Sequence, residues 1–170
     1  MQTRKNIRLR EYDYSQAGYY FVTICTNDKE CKLWDTISHN NTSQTANGVG
    51  ATIGRPNNEI ILSNIGKLVE SSLYKISKIY EAVELDKFVI MPNHVHLILI
   101  IRYSNGRPMT APTISQIIQQ FKGSITKQAG KSVWQKSYYD HVIRNDSDYI
   151  RIYEYIETNP LKWADDEYFE

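Results

Sequence analysis

The sequence predicts an α+β fold, an antiparallel sheet backed by helices, on three observations. Apolar residues recur at helical spacing in three stretches, β-branched and aromatic runs alternate with them, and capping or breaking residues punctuate the boundaries. Tyr19 to Cys25 (YYFVTIC), preceded by Gly18, reads as the first strand. Ile65, Leu68, Val69, Leu73, Ile76, Ile79 and Tyr80 recur near every 3.6 residues and predict an amphipathic helix that starts after Ser63 or Asn64. Val83 to Met91 and Val95 to Ile101 are strand-like, and Pro92 with Asn93 supplies the turn of a hairpin. The second of these runs is apolar on both faces, as a central strand covered on both sides would be. Thr113 and Gln116 have capping-box spacing, and Ile114, Ile117, Ile118, Phe121 and Ile125 follow at helical spacing until Gly130. Ser137 to Ile143 is the next strand candidate, and Tyr149, Ile152, Tyr153 and Ile156 form a last helical stripe that Pro160 should stop. The order is β, α, β, β, α, β, α. Its first six elements are a split βαβ repeat, so the expectation is a ferredoxin-like antiparallel sheet with an appended C-terminal helix.

At 170 residues the chain is expected to be one domain, residues 1–170, with a flexible insertion at about 39–58 where Asn, Thr, Gly and Ser dominate. Hydrophobic residues at 41% and charged residues at 23% supply a core and argue against general disorder. Twenty Lys and Arg against nineteen Asp and Glu leave a net charge of +1, so any polyanion partner must be held by local patches. No apolar run approaches the ~20 residues of a membrane span, and the basic segment from Met1 to Arg10 lacks the core of a signal peptide. A cytoplasmic location is expected. Cys25 and Cys31 have neither disulfide-framework nor zinc-site spacing.

His94 and His96 open the apolar strand, and because strand side chains alternate, an i, i+2 pair projects both imidazoles to one side, where they can hold one metal ion. Hydrogen bonding of each ring at the sheet end is the plainer alternative for a bare H-x-H, but two ionisable groups at the mouth of so apolar a strand cost desolvation unless something satisfies them. On the last helix Asp148, Arg151, Tyr155 and Asn159 share a stripe separate from the core stripe. Tyr155 is thereby the helical tyrosine left off the core face, open to a surface packing role as well as a chemical one. Asn159 is open to a capping role.

The segments IRLREYDYSQAGYYFVTICT, MPNHVHLILI, the Trp-Gln before SYYDHVIRNDSDY, and YIETNP together resemble the HUH single-tyrosine transposases, in particular those associated with repetitive extragenic palindromes. The resemblance covers nearly the whole chain outside residues 39–58. It implies that His94 and His96 bind a divalent metal, that Asn159 is the third ligand, and that Tyr155 is the nucleophile toward single-stranded DNA. It also implies Mg²⁺ or Mn²⁺ as cofactor, a 5′-phosphotyrosine intermediate, and cleavage and rejoining beside hairpin elements. Asn at 159, in place of the Gln of the broader insertion-sequence branch, favours the palindrome-associated branch. The two branches differ in assembly, so homodimer and monomer both stay open.

Arg4, Lys5, Arg8 and Arg10, with Lys122 and Arg144 near the second helix and its exit, are candidate phosphate contacts, and Tyr138, Tyr139 and Trp134 are candidates for base stacking. Two alternatives stand beside the transposase reading: a catalytically degenerate hairpin-DNA-binding protein, and a metal-dependent enzyme acting on a small molecule. The first predicts a missing ligand or nucleophile, and all four positions hold suitable residues.

Overall fold

The computed structural model describes residues 16–27, 32–39, 58–102 and 112–165. Strand β1 (Gly18–Cys25) is followed by β2 (Trp34–His39), β3 (Asn58–Leu62), helix α1 (Asn64–Ile79), β4 (Val83–Ile90), β5 (His94–Ile101), α2 (Ile114–Ala129), β6 (Tyr139–Ile143) and α3 (Asp146–Thr158), and then a 3₁₀ stretch (Asn159–Asp165). The main sheet has the order β4-β5-β1-β6 with every neighbouring pair antiparallel, which is the ferredoxin-like order.

The predicted helix boundaries follow from their caps. Ser63 accepts from the Gly66 amide at the start of α1, and Thr113 and Gln116 form a complete capping box on α2, which ends at Gly130 with φ 67. Asn145 caps α3 by accepting from the Asp148 amide. Gly66 is required for a different reason: a Cβ there would stand 2.1 Å from the Leu33 carbonyl oxygen, so α1 can approach this loop only without a side chain.

Side-chain alternation divides the sheet into two faces. Tyr20, Val22 and Ile24 of β1 and Leu97, Leu99 and Ile101 of β5 pack against α1 and α2, including Val69, Leu73, Ile117, Ile118 and Phe121. On the opposite face Phe21, Ile98 and Ile143 pack against Ile152 and Ile156 of α3. Strand β5 is buried along its whole length because helices cover both of its faces. His94 and His96 share the face of Ile98, the face that α3 covers.

Two features add to the expected elements. Nothing in the sequence signalled β2 and β3, which pair from Trp34 opposite Leu62 to His39 opposite Asn58 on either side of the expected insertion at about 39–58, whose residues 40–57 lie outside the described residues. Each strand is short and neither alternates strongly, so pairing across the intervening segment left no local signal. Pro160 was expected to stop the last helix. It does: α-geometry ends at Thr158 with Asn159 as the C-cap in right-handed conformation, and what the sequence did not suggest is that the chain turns on through Pro160 as a 3₁₀ stretch.

Candidate active site

The register of β1 against β5 places Thr23 opposite His96 and Cys25 opposite His94. The two imidazoles meet with their Nε2 atoms 2.9 Å apart, and both rings are buried. His94 Nδ1 lies 2.8 Å from Asn93 Oδ1, and His96 Nδ1 lies 2.8 Å from Thr23 Oγ1. Each ring is thus held from behind, with its Nε2 turned toward the other. Burial, with the neighbouring His94 imidazole adding to it, pushes His96 down to about 2, so the ring is neutral and keeps a nitrogen lone pair. Phe21 stacks on His96 with ring centroids 5.3 Å apart and fixes the ring plane.

Helix α3 brings Tyr155 to this pair. Burial of Ile152 and Ile156 on the sheet sets the rotation of the helix, and Tyr155, one residue off that stripe, projects beside His96 with its hydroxyl 3.2 Å from Nε2. The Tyr155 residue is 38% exposed, so its hydroxyl is both anchored and reachable. One turn on, Asn159 is 3% exposed, donates its backbone amide to the Tyr155 carbonyl, and buries a side-chain Oδ1 that has no hydrogen-bond partner among the described residues. An acceptor left so costs about 1–3 kcal/mol, which suits a group that serves a ligand. The structure therefore brings His94, His96 and Tyr155 into contact, and Asn159 lies one turn beyond Tyr155 at the end of α3.

Residues that could hold a metal here are the two imidazoles and, one turn past Tyr155, the Asn159 amide oxygen. Among the described residues no three His, Cys, Asp or Glu side chains converge, so a third protein ligand would have to be of another type, such as the Asn159 amide oxygen. Such a set suits Mn²⁺ and accommodates Mg²⁺ if water and substrate oxygens fill the remaining positions.

The proposed DNA contacts are less uniform. Lys122 is turned inward, donating to the carbonyls of Gln135 at 2.6 Å, Lys136 at 3.1 Å and Ser137 at 3.4 Å, and burial lowers its pKa; it ties α2 to the approach of β6. Trp134 is buried and packs 5.8 Å from Phe121, so it belongs to the core and not to a stacking surface. Tyr138 is half-buried with its hydroxyl 3.1 Å from that of Ser115, and Tyr139 meets Phe21 edge-on at 6.4 Å. Arg144 is exposed at the end of β6. Arg4, Lys5, Arg8 and Arg10 lie outside the described residues.

Sequence reasoning missed three features of this site. Trp163, in the 3₁₀ stretch beyond the expected stop at Pro160, lies 5.9 Å from the His94 ring and 6.3 Å from Trp34. Thr23 and Asn93 orient the imidazoles, and only strand register reveals the former. His141 of β6 bonds Asp148 at 2.7 Å, and Arg151 bonds the other carboxylate oxygen at 2.6 Å; the His141 bond first, then Arg151, holds this carboxyl below the usual range.

No family model matches the chain. An uncharacterized protein of Haemophilus influenzae is 34% identical over 186 residues, 98% of this chain and 93% of that one. The REP-associated tyrosine transposase of Escherichia coli K12 is 31% identical over 80 residues, 46% of this chain and 45% of that one. A second H. influenzae protein, provisionally described as a REP-associated tyrosine transposase, is 26% identical over 160 residues, 88% of this chain and 74% of that one. Two of these relatives are thus described as REP-associated tyrosine transposases, and the chain is similar to both. A solved REP-associated tyrosine transposase bound to a REP hairpin shares the fold with a TM-score of 0.59 at 22% identity, over 92% of this chain and 73% of that one. His94 and His96 fall in this chain's PNHVH segment, and Tyr155 and Asn159 in its YIETNP segment. Among the described residues no helix is long and apolar enough to cross a membrane.

Proposed function

We propose that the protein is a metal-dependent single-stranded DNA transposase that cuts and rejoins DNA beside hairpin elements through a 5′-phosphotyrosine at Tyr155. The observation that carries this reading is the Tyr155 hydroxyl standing 3.2 Å from His96 Nε2, beside a buried imidazole pair and one helical turn from Asn159, whose Oδ1 has no hydrogen-bond partner among the described residues. Similarity to proteins described as REP-associated tyrosine transposases supports it, as does the fold shared with one of them bound to a REP hairpin.

His94, His96 and Asn159 would hold the cation, Mg²⁺ or Mn²⁺. When bound, it supplies Lewis-acid polarisation of a phosphate oxygen and neutralises charge that develops in displacement at phosphorus. The chain's own residues do the rest. α3, fixed on the sheet by Ile152 and Ile156, presents the Tyr155 oxygen at the site rim, where an unpaired strand can reach it. The phenol loses its proton to solvent, its oxygen bonds to phosphorus, and the bond from phosphorus to the 3′ oxygen breaks, leaving a 3′-hydroxyl that takes up a proton. Attack by another 3′-hydroxyl on the phosphotyrosine reverses these changes and rejoins the strands without a nucleotide triphosphate. Arg144 is retained as a phosphate contact on its exposure, and the N-terminal Arg4, Lys5, Arg8 and Arg10 on their charge alone.

The test offers the protein, with Mg²⁺ or Mn²⁺, a hairpin oligonucleotide carrying single-stranded flanks and a fully paired duplex of the same sequence. Cleavage in the flank of the hairpin substrate alone, abolished by chelator, is expected. Equal cleavage of both substrates, or cleavage undiminished in excess chelator, would return the protein to the class of ordinary or metal-independent nucleases.

A further inference from the structure

We propose that the indole of Trp163 is the platform on which the base immediately 5′ to the scissile phosphate stacks, the base of the nucleotide that departs with the 3′-hydroxyl. The inference rests on the reading of Tyr155 as the nucleophile toward single-stranded DNA.

Trp163 differs from the other two tryptophans in its surroundings. Trp34 and Trp134 are 6% and 5% exposed, whereas Trp163 is only half-buried, in the 3₁₀ stretch that follows α3. Its inner side is backed by fixed rings. Trp34, whose indole N–H donates to the Ile90 carbonyl at 2.7 Å, lies 6.3 Å from it with the ring planes 53° apart, and His94 lies 5.9 Å away at 42°. Packing on Trp34 accounts for one side of the indole. The part left in water is a flat apolar surface at the edge of a site that an unpaired strand must enter, and aromatic surfaces of this kind hold unpaired bases by stacking.

The direction of the reaction assigns the base. Displacement at phosphorus is in line, so the leaving 3′ oxygen stands on the side of phosphorus away from the attacking phenol oxygen. Ring contacts run in order from Tyr155 to His96, with centroids 5.1 Å apart, from His96 to His94 at 4.4 Å, and from His94 to Trp163 at 5.9 Å. Tyr155 thus stands at one end of the imidazole pair and Trp163 at the other. With the nucleophile at the His96 end, the nucleotide that leaves with the 3′ oxygen extends toward the His94 end, where it meets Trp163. Every base has a π-face, so the platform holds this nucleotide without reading its sequence and helps to line up its 3′ oxygen with the Tyr155 hydroxyl.

The experiment uses the full-length protein with its Trp163→Ala and Trp163→Phe variants. The probes are a hairpin oligonucleotide whose single-stranded flank wild type cuts in Mn²⁺, and versions of it with one abasic position each along that flank. Affinity is read in chelator by fluorescence anisotropy of the labelled oligonucleotide, and folding by thermal melting. Removing the base immediately 5′ to the cut is expected to weaken wild-type binding about 5–150-fold. Trp163→Ala should lose a similar factor on the intact oligonucleotide and nothing more when that base is also removed, while Trp163→Phe keeps most of the affinity. At every other abasic position the losses in wild type and Trp163→Ala should be alike. Unchanged affinity in Trp163→Ala, or losses that multiply at the 5′ base, would overturn the platform and leave Trp163 as a residue that packs the 3₁₀ stretch onto Trp34. If wild type makes no cut, or Tyr155→Phe cuts as well as wild type does, the reading beneath the proposal fails, a result separate from either of these. Should Trp163→Ala not fold, wild-type indole fluorescence decides the matter: quenching by the intact oligonucleotide that is lost with the abasic one is expected, and equal quenching by both would overturn the proposal.

Discussion

Replacing Asn159 by Leu should make the metal-free protein more stable while destroying its metal response and its cleavage activity. The residue is 3% exposed, and its Oδ1 has no hydrogen-bond partner among the described residues. Burying an acceptor without a partner costs about 1–3 kcal/mol, and an apolar side chain of similar volume removes that cost. Leu also has the higher helix propensity, and the position is right-handed, with φ −55 and ψ −46. For a chain of this size each kcal/mol moves Tm by about 2–4 °C, so Asn159→Leu should melt roughly 2–12 °C higher in chelator. Added Mn²⁺ should shrink this gap and, where the gap is below about 2.7 kcal/mol, reverse it. At one hundred times its Kd a ligand stabilises the native state by about 2.7 kcal/mol, and only the wild type should receive the whole of this. The assay is differential scanning calorimetry of both proteins in chelator and in Mn²⁺, with hairpin cleavage measured in parallel. A lower Tm for Asn159→Leu in chelator would mean that the amide is structural, and an equal Mn²⁺ shift in both proteins would mean that it is no ligand.

Three further outcomes are expected. Ile156→Ala removes a fully buried side chain from beneath α3 and should cost about 2–5 kcal/mol by denaturant titration, with cleavage falling further than the folded fraction because Tyr155 loses its support. Gly66→Ala sets a Cβ 2.1 Å from the Leu33 carbonyl oxygen and should destabilise by about 1–3 kcal/mol, whereas an alanine at Gly123, where nothing lies within 4 Å, should not. Burial, and then the bond to Asp86, raises Tyr149 to about 12. The folded state therefore keeps this proton after the unfolded chain has lost it near pH ~10, so stability is flat below that pH and falls between pH 10 and 12. Tyr149→Phe should flatten that part of the pH–stability profile, and an unchanged slope would remove Tyr149 as its source.

The legible parts of the molecule are those written in local spacing. The i, i+2 histidines, the capping box at Thr113 and the offset of Tyr155 from the Ile152 and Ile156 stripe are one-element patterns, and each translates into geometry by strand or helix period alone. What stayed hidden depends on partners far along the chain. Thr23 reaches His96 across 73 residues, and its role follows from strand register. Lys122 reads as a surface cation in its own helix, but the chain returns 13 to 15 residues later and offers three carbonyls to its ammonium. β2 and β3 escape because neither strand is convincing without the other, and Trp163 because Pro160 marks the end of α-geometry without ending the ordered chain.

The central claim is that Tyr155 forms a covalent bond to DNA, and adduct mapping addresses it most directly. A hairpin oligonucleotide with labelled single-stranded flanks is incubated with the protein and Mg²⁺ or Mn²⁺, the denatured protein is digested, and the labelled peptide is sequenced by mass spectrometry. The account predicts one adduct, through a 5′ phosphate, on the peptide carrying Tyr155, absent from Tyr155→Phe and retained by Tyr153→Phe. A label on Tyr149 or Tyr153, or an adduct that persists in Tyr155→Phe, would contradict it.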